Sequence, residues 1–187
     1  MSIPRFNIEV LNLSHGWENI RLIIDDDIIE FNASYIGQEP VSSFIEAAVG
    51  LEEDSVNREY FARWRDEPGK CNIDYYLDNG TLNLSMEIEA PDSRGEMIST
   101  IRKYSIPFDL FHSAVRELAI RVVKKYGIVG FNSNWSSTDD PQEVFPVGSF
   151  LRLLGMEATF KEASDELTSS FQDEVKLLSV VLGKKSI

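Results

Sequence analysis

The chain has 187 residues, 43% of them hydrophobic, and its 31 acidic and 18 basic side chains give a formal charge of −13. That apolar share excludes a disordered chain, and a single domain of this length buries roughly 70% of its unfolded surface without covalent staples. Residues 1–60 hold 12 acidic and 3 basic side chains, a field that disfavours nucleic acid and anionic membranes and favours a basic protein partner. The bland alternative is that the charge serves solubility alone.

Phe6, Ile8 and Val10 alternate with Asn7 and Glu9, which predicts a first strand ending at Ser14-His15-Gly16. A second strand runs from about Trp17 to Ile24. Asp25, Asp26 and Asp27 turn the chain into a third, ending near Tyr35, in which Ile29, Phe31, Ala33 and Tyr35 share one face. Pro40 then suits the first turn of a helix, and Val41, Phe44, Ile45 and Ala48 keep helical spacing up to Gly50. Glu52, Glu53 and Asp54 form an acidic loop beyond it.

The most regular stretch is Tyr60 to Ile88. Tyr60, Ala62 and Trp64 alternate with Phe61, Arg63 and Arg65 before the turn Asp66-Glu67-Pro68-Gly69. Cys71, Ile73, Tyr75 and Leu77 then share a face, Asn79-Gly80 supplies a tight turn, and Leu82, Leu84, Met86 and Ile88 return on the same side. Three consecutive antiparallel strands follow from that pattern. A further strand is predicted over Met97 to Tyr104. Next comes a helix with the stripe Phe108, Phe111, Val115, Leu118, Ala119, Val122 and Tyr126, opened by Pro107 and stopped at Gly127.

Ile128 to Phe131 reads as a short extended piece, and residues 132–142 as a loop without periodicity. Trp135 in that loop is either a contact anchor or a lid over the core, and Asp139 and Asp140 follow it. Val147 to Leu154 predicts a short helix closed by Gly155. The last segment, 156–187, reads as a helix with a capping-box spacing at Thr159 and Glu162, ending at Gly183. Its stripe of Phe160, Ala163, Leu167, Phe171, Val175, Leu178 and Leu182 packs on the domain or on a second copy, giving a homodimer. The expected architecture is one α+β domain over residues 1–187: an antiparallel meander sheet of about six to seven strands with helices packed on one face.

Chemistry is sparse in the sequence. His15 and His112 are far apart, the lone Cys71 falls on the apolar face of its strand and can form no internal disulfide, and neither a GxSxG nor a GxGxxG occurs. Pro68-Gly69-Lys70 lacks the first glycine and the Ser or Thr of a phosphate loop. Asp25 to Asp27 can offer oxygens to a divalent cation, but consecutive residues on a turn point apart, so a solvated or partner-facing cluster is the expectation. Carboxylates paired from distant positions are invisible at this level. No catalytic residue, cofactor or metal is assigned. The absence of an apolar leader or membrane-length stretch makes the cytoplasm the expected location.

The order of an early antiparallel meander, the Phe31-Asn32-Ala33-Ser34-Tyr35 strand before a short helix, the Trp64 to Gly69 turn, the alternating hairpin and a covering helix resembles small bacterial immunity proteins of polymorphic toxin systems, including the wall-associated-toxin type. The resemblance covers about residues 17–126. It implies a non-enzymatic protein that neutralises a toxin domain by binding it. The partner-binding residues expected on this reading are Asp25, Asp26, Asp27, Glu52, Glu53, Asp54, Trp135, Asp139 and Asp140. Two other classes stay open: a small enzyme with a cleft near residues 132–143, and an assembly subunit using the C-terminal helix.

Overall fold

The computed structural model describes residues 4–53, 59–135, 145–156, 160–163, 166–169 and 171–183. The chain begins with three antiparallel strands, β1 (Phe6–Ser14), β2 (Trp17–Ile24) and β3 (Asp27–Ser34), followed by α1 (Pro40–Glu53). Four more make a second meander: β4 (Glu59–Asp66), β5 (Gly69–Asp78), β6 (Thr81–Pro91) and β7 (Met97–Pro107). Then come α2 (Phe108–Trp135), α3 (Val147–Leu153), the short pair β8 (Phe160–Ala163) and β9 (Glu166–Ser169), and α4 (Phe171–Leu182).

The α+β class is as expected, but the single sheet is not: β1-β2-β3 and β4-β5-β6-β7 are separate sheets, with β8-β9 a third. The reason lies between β3 and β4. The ladder of β3 ends at Ser34, and the edge of β4 is met by Gln38 instead. Gln38 N–H donates to the Arg63 carbonyl (3.0 Å), and Arg63 N–H donates to Gln38 Oε1 (2.6 Å). Gly37 permits this approach, since a Cβ there would sit 2.8 Å from the Arg65 nitrogen.

The inner faces of both large sheets close on α1 and α2. Phe111 of α2 is the hub, with ring centroids of Phe6, Tyr75, Phe108 and Phe44 between 5.6 and 6.4 Å away. Trp64 joins β4 to Phe31 and Phe44 at 5.7 and 5.3 Å. Its indole N–H donates to Ser43 Oγ (3.0 Å), whose hydroxyl donates to the Pro40 carbonyl (2.8 Å). The one polar atom of the largest core side chain is thereby satisfied.

Two expectations in the second half are corrected. The chain does kink at Gly127 (φ 68°, ψ 168°), but helix resumes through Trp135 rather than giving way to an extended piece and a loop. Ile128, Phe131 and Trp135 are spaced three and four apart, so Phe131 and Trp135 turn inward. The intervening Asn132-Ser133-Asn134 conceals that period. The tail docks where Gly16 N–H donates to the Asn134 carbonyl (2.8 Å). The C-terminal segment is also not one helix. Thr and Ser are weak helix formers, and Phe160–Ala163 and Glu166–Ser169 pair as β8-β9 before α4 begins. On α4, Val181 is buried and Leu177 packs against the core, whereas Leu178 and Leu182, expected on the buried stripe, are exposed.

Candidate interaction face

Alternation on β4 to β7 leaves one face of that sheet outside the core. No described element covers it, and four large apolar side chains stand on it: Phe61 (51% exposed), Tyr76 (50%), Ile101 (62%) and, at the start of β7, Met97 (47%). The register sets Phe61 opposite Asp74 and Tyr76 opposite Glu59, so the two aromatic rings are diagonal neighbours. On β6 the outward residues between Tyr76 and Lys103 are short, Asn83 and Ser85, and a shallow cleft of about 350 Å³ runs there, walled by Tyr76 on one side and Lys103 and Ser105 on the other.

The aromatic wall is held in place. The Arg63 guanidinium stacks over the Phe61 ring at 5.4 Å, pairs with Asp74 at 2.9 Å and donates to the Ile73 carbonyl at 3.1 Å. With both members of the ion pair about half exposed it contributes at most ~1 kcal/mol to stability. Its effect is to fix the orientation of Phe61. Across the cleft the Ser105 hydroxyl donates to Asn83 Oδ1 (2.8 Å), and at the far end Lys70 pairs with Glu89 (2.8 Å). Aromatic side chains fixed in this way can be buried by a partner with little further loss of rotamer freedom.

The acidic residues singled out in the sequence fall in several places. Asp25 is exposed and bonded to Arg5, its N–H donating to the Arg5 carbonyl (2.8 Å) and its Oδ1 accepting from Arg5 N–H (3.1 Å). Asp26 is exposed. Asp27 accepts from the Tyr104 hydroxyl (2.8 Å) and lies 3.7 Å from Arg102, which anchors the triplet beside β7. Burial raises the Tyr104 hydroxyl above its ordinary range, and the bond to Asp27 adds to this. Glu52, 61% exposed, lies 3.4 Å from His112 Nε2 of α2 without hydrogen-bond geometry. Glu53 ends α1; its side chain, with Asp54, Asp139 and Asp140, lies outside the described residues. So does most of the 132–143 segment suggested for an enzyme cleft. Trp135 is 4% exposed and forms part of the core, the lid of the two readings given above.

The sequence reading missed a carboxyl pair in the interior. Glu18 stands on the inner face of β2 opposite Leu13 and Ala33, and is 0% exposed. Glu39, 4% exposed, caps α1: its Oε1 accepts from Val41 N–H (2.7 Å) and its Oε2 from Ser42 N–H (2.5 Å). These bonds satisfy two of the N–H groups that the first turn of the helix leaves free. Both oxygens of Glu18 lack a protein partner at hydrogen-bond geometry. Burial above all, and then the charge of Glu39, hold Glu18 well above the usual carboxylate range, an effect that the Val41 N–H offsets only in part. The signal was present in the sequence, because Glu18 shares its parity with Ile20, Leu22 and Ile24. A pair closed from solvent on both members has no access to a substrate, so this is a proton held in the fold.

Cys71 is buried on the inner face of β5, and burial pushes its thiol up to about 12. Among the described residues no three His, Cys, Asp or Glu side chains come together as a metal site, and no helix is long and apolar enough to cross a membrane. Comparisons with protein-family models, with curated protein sequences and with solved structures give no match for this chain.

Proposed function

We propose that this chain is a non-enzymatic binding protein of the bacterial immunity kind, which captures a basic partner and occludes it with the outer face of the β4-β5-β6-β7 sheet. The observation that carries the reading is the uncovered face itself, with Phe61 half-exposed under Arg63 and Tyr76 half-exposed at the wall of a shallow cleft. Burying the remaining half of each of Phe61, Tyr76 and Ile101 contributes about 1 kcal/mol apiece. The face itself is of mixed charge, with Arg63 paired to Asp74 and Lys70 to Glu89. The acidic N-terminal third supplies long-range steering, and Asp26, exposed on its turn, is the side chain best placed to act in that way.

The test is affinity capture from the native lysate with wild type and with the double variant Phe61→Ser, Tyr76→Ser, washed at low and at raised salt. A stoichiometric basic protein retained by wild type, released by salt and lost in a double variant of unchanged circular dichroism supports the reading. Equal capture by both moves the contact elsewhere, and recovery of the chain alone overturns the proposal. With the partner in hand, Asp26→Lys slows association and flattens its salt dependence while leaving stability within about 0.5 kcal/mol.

A further inference from the structure

A second cleft lies on the other side of the molecule, between β1 and α2, and it arises from a fault in the first strand. The β1-β2 ladder passes from Val10 opposite Ile20 directly to Asn12 opposite Asn19, leaving Leu11 without a partner. At this bulge a cleft of about 410 Å³ lies between β1 and α2, within the size range of small-molecule sites.

The lining is two-sided in chemistry. Val10, Leu11, Leu118 and Val122 make an apolar floor and rim, with Leu118 and Val122 buried and Leu11 38% exposed. Arg121 and Lys125, four residues apart on α2, stand together at the edge. Arg121 is fixed across the cleft by donating from Nη2 to the Ile8 carbonyl (2.7 Å), and its ion pair with Glu117 is long at 3.7 Å and exposed. The Lys125 ammonium rests 4.7 Å from the Tyr126 ring centroid and forms no ion pair among the described residues. The one acid in the lining, Glu9, is already matched by Arg21 at 3.3 Å. In a chain of net charge −13 this is an apolar cleft with two cations at its edge, of which Lys125 forms no ion pair among the described residues and Arg121 only an exposed, long one.

We propose that the cleft binds a small amphipathic carboxylate, its alkyl chain against Val10, Leu11, Leu118 and Val122 and its head group between Arg121 and Lys125. Two cations on a low-dielectric wall favour an anionic head over a neutral one of the same shape. The site belongs to a different pair of elements from the sheet face above and stands or falls independently of it.

The experiment is calorimetric titration of the full chain with octanoate, and with octanamide as the neutral isostere. Octanoate saturates the protein at one site, and octanamide binds roughly tenfold more weakly. Lys125→Gln and Leu11→Ser, both at exposed positions that no fold contact requires, each weaken octanoate roughly fivefold while leaving the melting temperature in place. Equal affinity for octanoate and octanamide overturns the proposal, as does octanoate binding unchanged by both substitutions. Absence of saturable binding, or saturation only by an acidic amphipathic peptide, overturns it too.

Discussion

Glu18→Gln tests the interior carboxyl pair directly. In the folded chain Glu18 keeps its proton at pH values where an unfolded glutamate has lost it, because burial and the neighbouring Glu39 oppose the anion. The folded state therefore binds more protons than the unfolded state above the ordinary carboxylate range. The stability contributed by this group is complete below that range and is lost as pH rises toward the raised folded value. Gln carries no ionisable proton and can donate its amide N–H to Glu39, so it removes this cost. The gain at neutral pH is about 1–3 kcal/mol, the range for relieving a buried unpaired polar group, or about 2–4 °C in melting temperature for each kcal/mol in a chain of this length. Urea denaturation of both proteins between about pH 5 and about pH 8 isolates the effect, because every other titrating group is common to them. The gap between variant and wild type widens as pH rises. A variant that is no more stable than wild type at neutral pH, with a parallel pH profile, refutes the assignment of the proton to Glu18.

Phe111→Ala removes the ring at which β1, β5, α1 and the start of α2 meet, and costs about 3–5 kcal/mol by urea denaturation. Gly37→Ala places a Cβ against the Arg65 backbone nitrogen and costs about 1–3 kcal/mol, with hydrogen exchange accelerated at the Gln38 and Arg63 amides where the two sheets meet. Cys71, with its thiol raised to about 12 and its side chain buried, resists a disulfide reagent in the native protein and reacts once urea unfolds it. Rapid reaction without denaturant contradicts its placement on the inner face.

Where neighbouring residues decide the outcome, the sequence was readable. The β5-β6 hairpin follows from strict alternation and from Asn79-Gly80, which take φ of 47° and 76° as the turn demands. Pro40 opens α1 and Gly155 (φ 70°) closes the turn after α3, both at the expected places. What escaped depends on distant partners or on competing periods. The division of the strands into two sheets rests on the Gln38 and Arg63 exchange, a contact 25 residues apart that no alternation encodes. The helix after Gly127 was concealed by Asn132 to Asn134, and the C-terminal hairpin by apolar residues that also fit helical spacing. Glu18 and Glu39 meet only because β2 and β3 return the chain to the start of α1. Of the candidate face, the outward parity of Phe61 and Tyr76 was legible, but its being uncovered was not, since that depends on where α1 and α2 settle.

The bond from Arg121 to the Ile8 carbonyl spans 113 residues, and this separation imposes an order of events on a chain made from its N-terminus. The hairpins of β4 to β7 can close as they emerge from the ribosome, each needing only the strand just made. β1 and β2 can also form their hairpin early, but the apolar side of β1, with Phe6 and Ile8, has nothing to lie against until α2 has been synthesised. At about 5–20 residues per second that wait lasts about 6–20 s. For that interval the nascent chain presents a bare apolar strand edge to its surroundings, so β1 is the segment where a holding chaperone binds during synthesis and where premature release leads to aggregation.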